Sequence, residues 1–218
     1  MSFRTSAAVA TATAVGAAGL AFVPVATATP DGNQIVINEV YSNGAGRSGP
    51  YLNDFIELYN PSDNAIPLDG MTVVVYGGVS GDTVGTVELE GELAAGDHYL
   101  LKLENSAKFP TDGAVELEEF DLEAPELSVP SQNGSVALSF GESTLDLVGF
   151  GRTERFEGTQ ARAAAFDESL ARTDGVDTDD NAADFSSQEP TPQHSTGDVE
   201  DQDDPGELSS RLSSGVSR

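Results

Sequence analysis

Between residues 34 and 150, short runs of Val, Ile, Leu and aromatic residues alternate with clusters of Gly, Pro, Asn and Asp. This punctuation constrains the chain more than any other feature. Gln34–Tyr41, Asp54–Tyr59, Met71–Tyr76, Val84–Leu89, His98–Leu103, Ser135–Phe140 and Thr144–Phe150 each have strand length and β-branched or aromatic enrichment. Turn chemistry separates them. In Asn60-Pro-Ser-Asp63 the proline presets φ, while Asn and Asp can bond their own backbone. Runs spaced this way predict an all-β sandwich or barrel. Helical periodicity is weak, and only Ala161–Arg172, with its three consecutive alanines, could form a turn or two of helix. The lone glycines follow no fixed period, which argues against a solenoid.

Such a domain must be held by packing, with or without a metal, because the chain has no cysteine. Thiolate metal sites and thiol nucleophiles are excluded for the same reason. The N-terminus reads as an export signal. Arg4 is its single charged side chain, residues 6–25 carry no charge, and Ala26-Thr-Ala28 offers the small-x-small pattern of a cleavage site. A stable span would need about 20 strongly apolar residues, and Thr, Ser and Gly dilute this stretch. Residues 1–28 are therefore expected to be removed, leaving a secreted or cell-surface chain with no membrane span.

The net charge is −27, from 10 basic and 37 acidic side chains, and loss of Arg4 with the leader takes it to −28. A surface of that sign repels phosphate backbones, so direct nucleic-acid binding is disfavoured. It favours solubility, divalent cations and basic partners. Residues 103–130 are acidic and contain Pro110, Pro125 and Pro130. They read as a surface excursion with at most one edge strand. Beyond Thr191 apolar residues almost vanish, and residues 198–207 form an acidic run unable to bury enough surface to order itself. The expected organisation is a signal peptide over 1–28, a β-sandwich over 29–195 and a disordered acidic tail over 196–218.

Candidate sites are few. In Asp54–Tyr59, Ile56 and Leu58 share one face, opposite Phe55, Glu57 and Tyr59. If the first two strands pair, Glu39 and Glu57 approach each other. A carboxylate pair in a cleft could serve a hydrolase, but a structural role, paired with an arginine such as Arg172 or facing water, is favoured. Asp177, Asp179 and Asn181 alternate as the first three oxygen ligands of a calcium loop do. An EF-hand is excluded by Ala182 at its sixth position and Gln188 at its twelfth. The same residues can close Asx-turns, so Ca²⁺ is the second reading of this segment. His98 and His194, the only histidines, show no ligand spacing, and Gly44-Ala-Gly46 lacks the Lys and helix of a phosphate loop. Tyr41, Tyr51 and Tyr59 suit either a binding surface or a sandwich interior. No catalytic residue and no cofactor loop is expected.

An ordered set of motifs carries a family resemblance. Ile35-Val-Ile-Asn-Glu-Val40 is followed by Asp54-Phe-Ile-Glu-Leu-Tyr-Asn-Pro61, Ile66-Pro-Leu-Asp-Gly70 and Leu93-Ala-Ala-Gly-Asp-His-Tyr-Leu-Leu101. Asp146–Gly151, Phe156–Thr159, Glu168–Phe185 and Pro190-Thr-Pro192 complete it. Over residues 33–195 this resembles the bacterial lamin-tail domains, with Met71 in place of an expected aromatic. The resemblance implies an immunoglobulin-like sandwich that acts as a module rather than a catalyst. Such domains often accompany secreted nucleases, phosphatases or other enzymes on longer chains, and 218 residues leave no room for one. Three functional expectations follow: an interaction or scaffold module with an unidentified protein or cell-surface partner, an accessory domain or subunit of a separately encoded secreted hydrolase, and a calcium-stabilised extracellular domain.

Overall fold

The computed structural model describes residues 34–42, 49–105 and 113–196. The expected signal peptide over 1–28, Gly44 and Gly46, and the acidic run at 198–207 lie outside these residues. In chain order the strands are β1 (Val36–Tyr41), β2 (Asn53–Tyr59), β3 (Ile66–Pro67), β4 (Met71–Gly77), β5 (Asp82–Glu88) and β6 (Glu92–Leu93). Then come β7 (His98–Asn105), β8 (Leu122–Glu123), β9 (Gly134–Phe140), β10 (Ser143–Phe150), β11 (Ser169–Arg172) and β12 (Phe185–Gln188). One helical turn, α1 (Asn181–Asp184), precedes the last strand.

Two sheets form an immunoglobulin-like β-sandwich. The larger has the order β12-β11-β1-β2-β7-β8 and the smaller β10-β9-β4-β5, with β3 and β6 pairing separately. Neighbours are antiparallel except β7 and β8. The edge strand expected in the acidic excursion is thus β8, running parallel to β7. All seven strand runs read from the sequence are present.

The core lies between the sheets. Ile37, Ile56, Leu58 and Leu101 from the larger sheet meet Val73, Val75, Val136, Leu138 and Val148 from the smaller, all fully buried. Each such side chain contributes about 1.5–3 kcal/mol relative to exposure. Strand β1 departs from simple alternation, because Ile37 and Val40 both join the core. A register shift between Ile37 and Glu39 explains this: the irregularity inserts one residue and switches which parity faces inward.

The larger sheet also buries part of its outer face. Tyr41, Phe55, Leu100 and Leu117 form a second cluster there, with Tyr51 and Phe120 against it. Tyr41 stacks on Phe55 at 5.2 Å between centroids, and Tyr51 stands edge-on to both at 6.1 Å. Two of the three tyrosines weighed for a binding surface therefore pack this second core. Burial pushes the Tyr41 and Tyr99 phenols up to about 12. Because both folded values exceed the ordinary 10, their neutral forms favour folding fully below pH 10, and that contribution fades between pH 10 and 12. Absorbance at 295 nm should show two of the five tyrosines ionising only near pH 12 or on unfolding; five ionising together near pH 10 in the folded chain would contradict this packing.

The helical turn anticipated in Ala161–Arg172 does not form. Ala161 bridges to Phe150, and Ser169–Arg172 becomes β11, hydrogen-bonded to β1 on one side and β12 on the other. A three-alanine run supplies too little propensity for an isolated helix of this length. Two ladders and a core position for Leu170 outweigh it. The Asn60 turn forms as its residues require. Asn60 is fully buried, donating to the carbonyls of Asn64, Leu93 and Ala94 and accepting from the Ser62 amide and hydroxyl.

Candidate functional site

The remaining outer face of the larger sheet is a row of carboxylates. Pairing of β1 with β2 places Glu39 directly opposite Glu57, as their positions imply. Both are buried. Their neighbours come from the end of the described chain, residues 191–196, which runs across the strands. The Thr191 amide donates to Glu39 at 2.9 Å, the Gln193 amide to Glu57 at 2.6 Å, and the Ser195 amide to Asp121 at 3.0 Å. The Thr196 amide then reaches Asp97 at 2.9 Å. Side-chain hydroxyls reinforce the grip: Thr191 donates to Glu39 at 3.0 Å and Ser195 to Asp121 at 2.5 Å. Alternate residues of an extended segment point the same way, as the amides of Thr191, Gln193 and Ser195 do here before the Thr196 amide follows directly.

This arrangement commits the carboxylates. Glu57 Oε1 accepts from Asn38 at 2.7 Å and faces His98 Nδ1 at 2.8 Å, while Oε2 takes the Gln193 amide. His98 in turn lies under Tyr59, with ring centroids 4.8 Å apart. Burial raises the Glu39 carboxyl above its ordinary value, against the bonds from Ser169 and Thr191 that favour ionisation. Neither glutamate is paired with Arg172. The pair holds backbone amides rather than a guanidinium. Beside it, an open cleft of about 540 Å³ is lined by Pro192 and His194, by Tyr51 and Leu100, and by the acidic stretch Glu116–Glu119. His194 approaches Glu119 at 3.4 Å.

Arg172 instead sits in a second, buried cluster between the sheets' ends. Its side chain is fully enclosed and bonds Asp146 at 2.8 Å, Asp177 at 2.9 Å and Asp184 at 3.2 Å, with Nε donating to the Ile37 carbonyl at 2.9 Å. The guanidinium also lies 4.5 Å from the Phe185 ring centroid. Close by is Glu157, buried in the loop after β10. Burial, aided by the negative charge of Asp146 and Asp177, pushes its carboxyl up to about 9.

Asp177, Asp179 and Asn181, the residues of the second, calcium reading, each have a role in this loop. Asp177 belongs to the cluster. Asn181 is a structural bolt: its Oδ1 accepts from the amides of Gly149 (2.8 Å) and Glu157 (3.0 Å), and its Nδ2 donates to the Leu147 carbonyl at 2.8 Å. Asp179 adopts a left-handed φ of 58° while its amide caps Asp177. The Asx-turn reading of this loop is the one the backbone follows, with Asp180 capping α1 through the Ala182 amide. Helix α1 turns Asn181 into the domain, where its side chain is fully buried. Asp146 and Glu157 were invisible as partners of Asp177, since they are distant in sequence and only the β10–β11 packing joins them.

No helix among the described residues is long and apolar enough to cross a membrane. No curated protein matches the chain. Among solved structures it is similar to that of a DUF4876 family protein from Bacteroides thetaiotaomicron, at 12% identity and a TM-score of 0.49, covering 74% of this chain and 75% of that one. The family model of the Lamin Tail Domain matches residues 28–151, which is more than half of the sequence. The match takes in β1 to β10 and stops short of β11, the Arg172 loop and the strand-crossing segment. By that match, and by the sandwich it builds, the chain belongs to the lamin tail domain family.

Proposed function

We propose that this chain is an exported, non-catalytic module that acts by surface complementarity, as an interaction or scaffold domain at the cell surface or in the medium. The observation that carries the reading is the use made of the acidic sheet face. Its carboxylates Glu39, Glu57 and Asp121 hold an extended polypeptide by its amides. The exposed acidic charge lies beside that clasp, in the Glu116–Glu119 cleft, and suits a basic protein partner.

Two measurements test this. Chain recovered from the culture medium should begin at Thr29, and recovery only from the cytoplasm with Met1 intact would refute export. Incubation with nuclease, phosphatase and glycosidase substrates should yield no turnover. Turnover that disappears in Glu57→Gln would make the sheet face catalytic and overturn the module reading. Partners captured from the native cell surface should elute as salt is raised, since exposed charge contacts are screened over about 8–10 Å.

A further inference from the structure

Counting charges around Arg172 exposes an imbalance. One guanidinium faces Asp146, Asp177 and Asp184, and Glu157 stands beside them; Asp146, Asp184 and Glu157 are buried and Asp177 is partly so. Four carboxylates oppose one positive charge. Burying unbalanced charge is costly unless a counter-ion is present.

The geometry narrows what that counter-ion is. Carboxylate oxygens of Asp146, Glu157 and Asp177 lie within 4.8 Å of one another. They arrive from three separate places: strand β10, the loop after it, and the loop between β11 and α1. An acidic cluster alone would not define a site, but Glu157 adds an independent sign. Its Oε2 is held by Asn181 at 3.3 Å, whereas the buried Oε1 has no hydrogen-bond partner among the described residues. Buried carboxylate oxygens are ordinarily satisfied. On Asp177, Arg172 and the Asp179 amide both bond Oδ1.

We propose that Asp146, Glu157 and Asp177 bind one divalent cation, and that the cation is Ca²⁺. The donors are hard oxygens with no nitrogen or sulfur ligand among them, a set that suits a hard cation better than zinc. Ca²⁺ tolerates irregular carboxylate sets, whereas Mg²⁺ demands near-ideal octahedral geometry. Two added positive charges bring four carboxylates and one guanidinium to a single net negative charge. The ligand set differs from the alternating one in the sequence, since Asp177 is common to both and Asp179 and Asn181 are replaced. The inference is independent of whether the chain is exported or what it contacts.

The test uses the full chain, stripped with EDTA and then titrated with CaCl₂ by calorimetry and thermal unfolding. One site per chain is expected, with a dissociation constant of about 10⁻⁴–10⁻³ M and a rise in Tm of several degrees at saturation. Glu157→Gln preserves volume and removes the carboxylate; it should weaken that site at least tenfold and abolish the rise. Asp177→Asn, nearer the surface, should do the same and serves if Glu157→Gln fails to fold. Control variants at exposed acids, Asp63→Asn and Glu142→Gln, should keep both. The proposal is overturned by an unchanged Tm between EDTA and Ca²⁺, or by weak multiple binding that Glu157→Gln and Asp177→Asn leave intact.

Discussion

Arg172→Met is expected to destabilise the domain by about 3–5 kcal/mol, the usual cost of removing one partner from a buried ion pair. The magnitude follows from what is left behind. Asp146 is fully buried and receives two bonds from one guanidinium nitrogen, each 2.8 Å. Asp184 is nearly as enclosed and shares another nitrogen with Asp177 and the Val176 carbonyl. Methionine can replace the aliphatic stem and some contact with Phe185, but it donates no hydrogen bond. The orphaned carboxylates must then protonate or draw in water. Urea unfolding monitored by circular dichroism should show the midpoint falling with little change in slope. Combining Arg172→Met with Asp146→Leu should recover part of the loss, because the most deeply buried orphan is then absent. A single variant within 1 kcal/mol of wild type would mean the cluster is hydrated and the enclosure described above is wrong.

Asn181→Ala is the second large effect, about 3 kcal/mol, for a different reason. One side chain satisfies the amides of Gly149 and Glu157 and the carbonyl of Leu147. Each buried backbone group left without a partner costs about 1–3 kcal/mol. Space around it is tight: a Cβ built on Gly149 would stand 2.1 Å from the Arg155 carbonyl oxygen, so the loop cannot slide to find substitutes. Asn181→Asp separates the roles. The aspartate keeps the acceptor for both amides, loses the donor to Leu147, and sets a second carboxylate against Glu157. It should fall between wild type and Asn181→Ala at low pH and approach the alanine variant at neutral pH, in chemical denaturation at both. Equal stability of all three would show that α1 does not depend on this bolt.

Legibility varied with the range of the interaction. Strands were legible because their signal is local. Ile56 and Leu58 alternate with Glu57, and Asn60 caps its own turn, so a short window contains the whole cause. The irregularity in β1 was not legible, since nothing in Val36–Tyr41 marks where the parity changes; it is set by the strands on either side. The approach of Glu39 to Glu57 followed once β1 and β2 were paired. Their partners did not, because residues 191–196 are polar and carry no strand pattern. Their order comes from four carboxylates on other elements. Arg172 was recognisable as a partner for acids, but which acids depended on how β11 inserts beside β1.

The clasp on the sheet has a keyed register. Thr191, Gln193 and Ser195 offer the amides that Glu39, Glu57 and Asp121 receive, and the intervening positions 190 and 192 are prolines, which have no N–H to give. Sliding the segment by one residue in either direction would set a proline over Glu39 or Glu57 and leave a buried carboxylate without its donor. Polar ribbons are ordinarily prone to slip, yet this one admits one frame of the two. The proline spacing acts as the teeth of a ratchet, giving a segment with almost no apolar anchor a single way to lie across the domain.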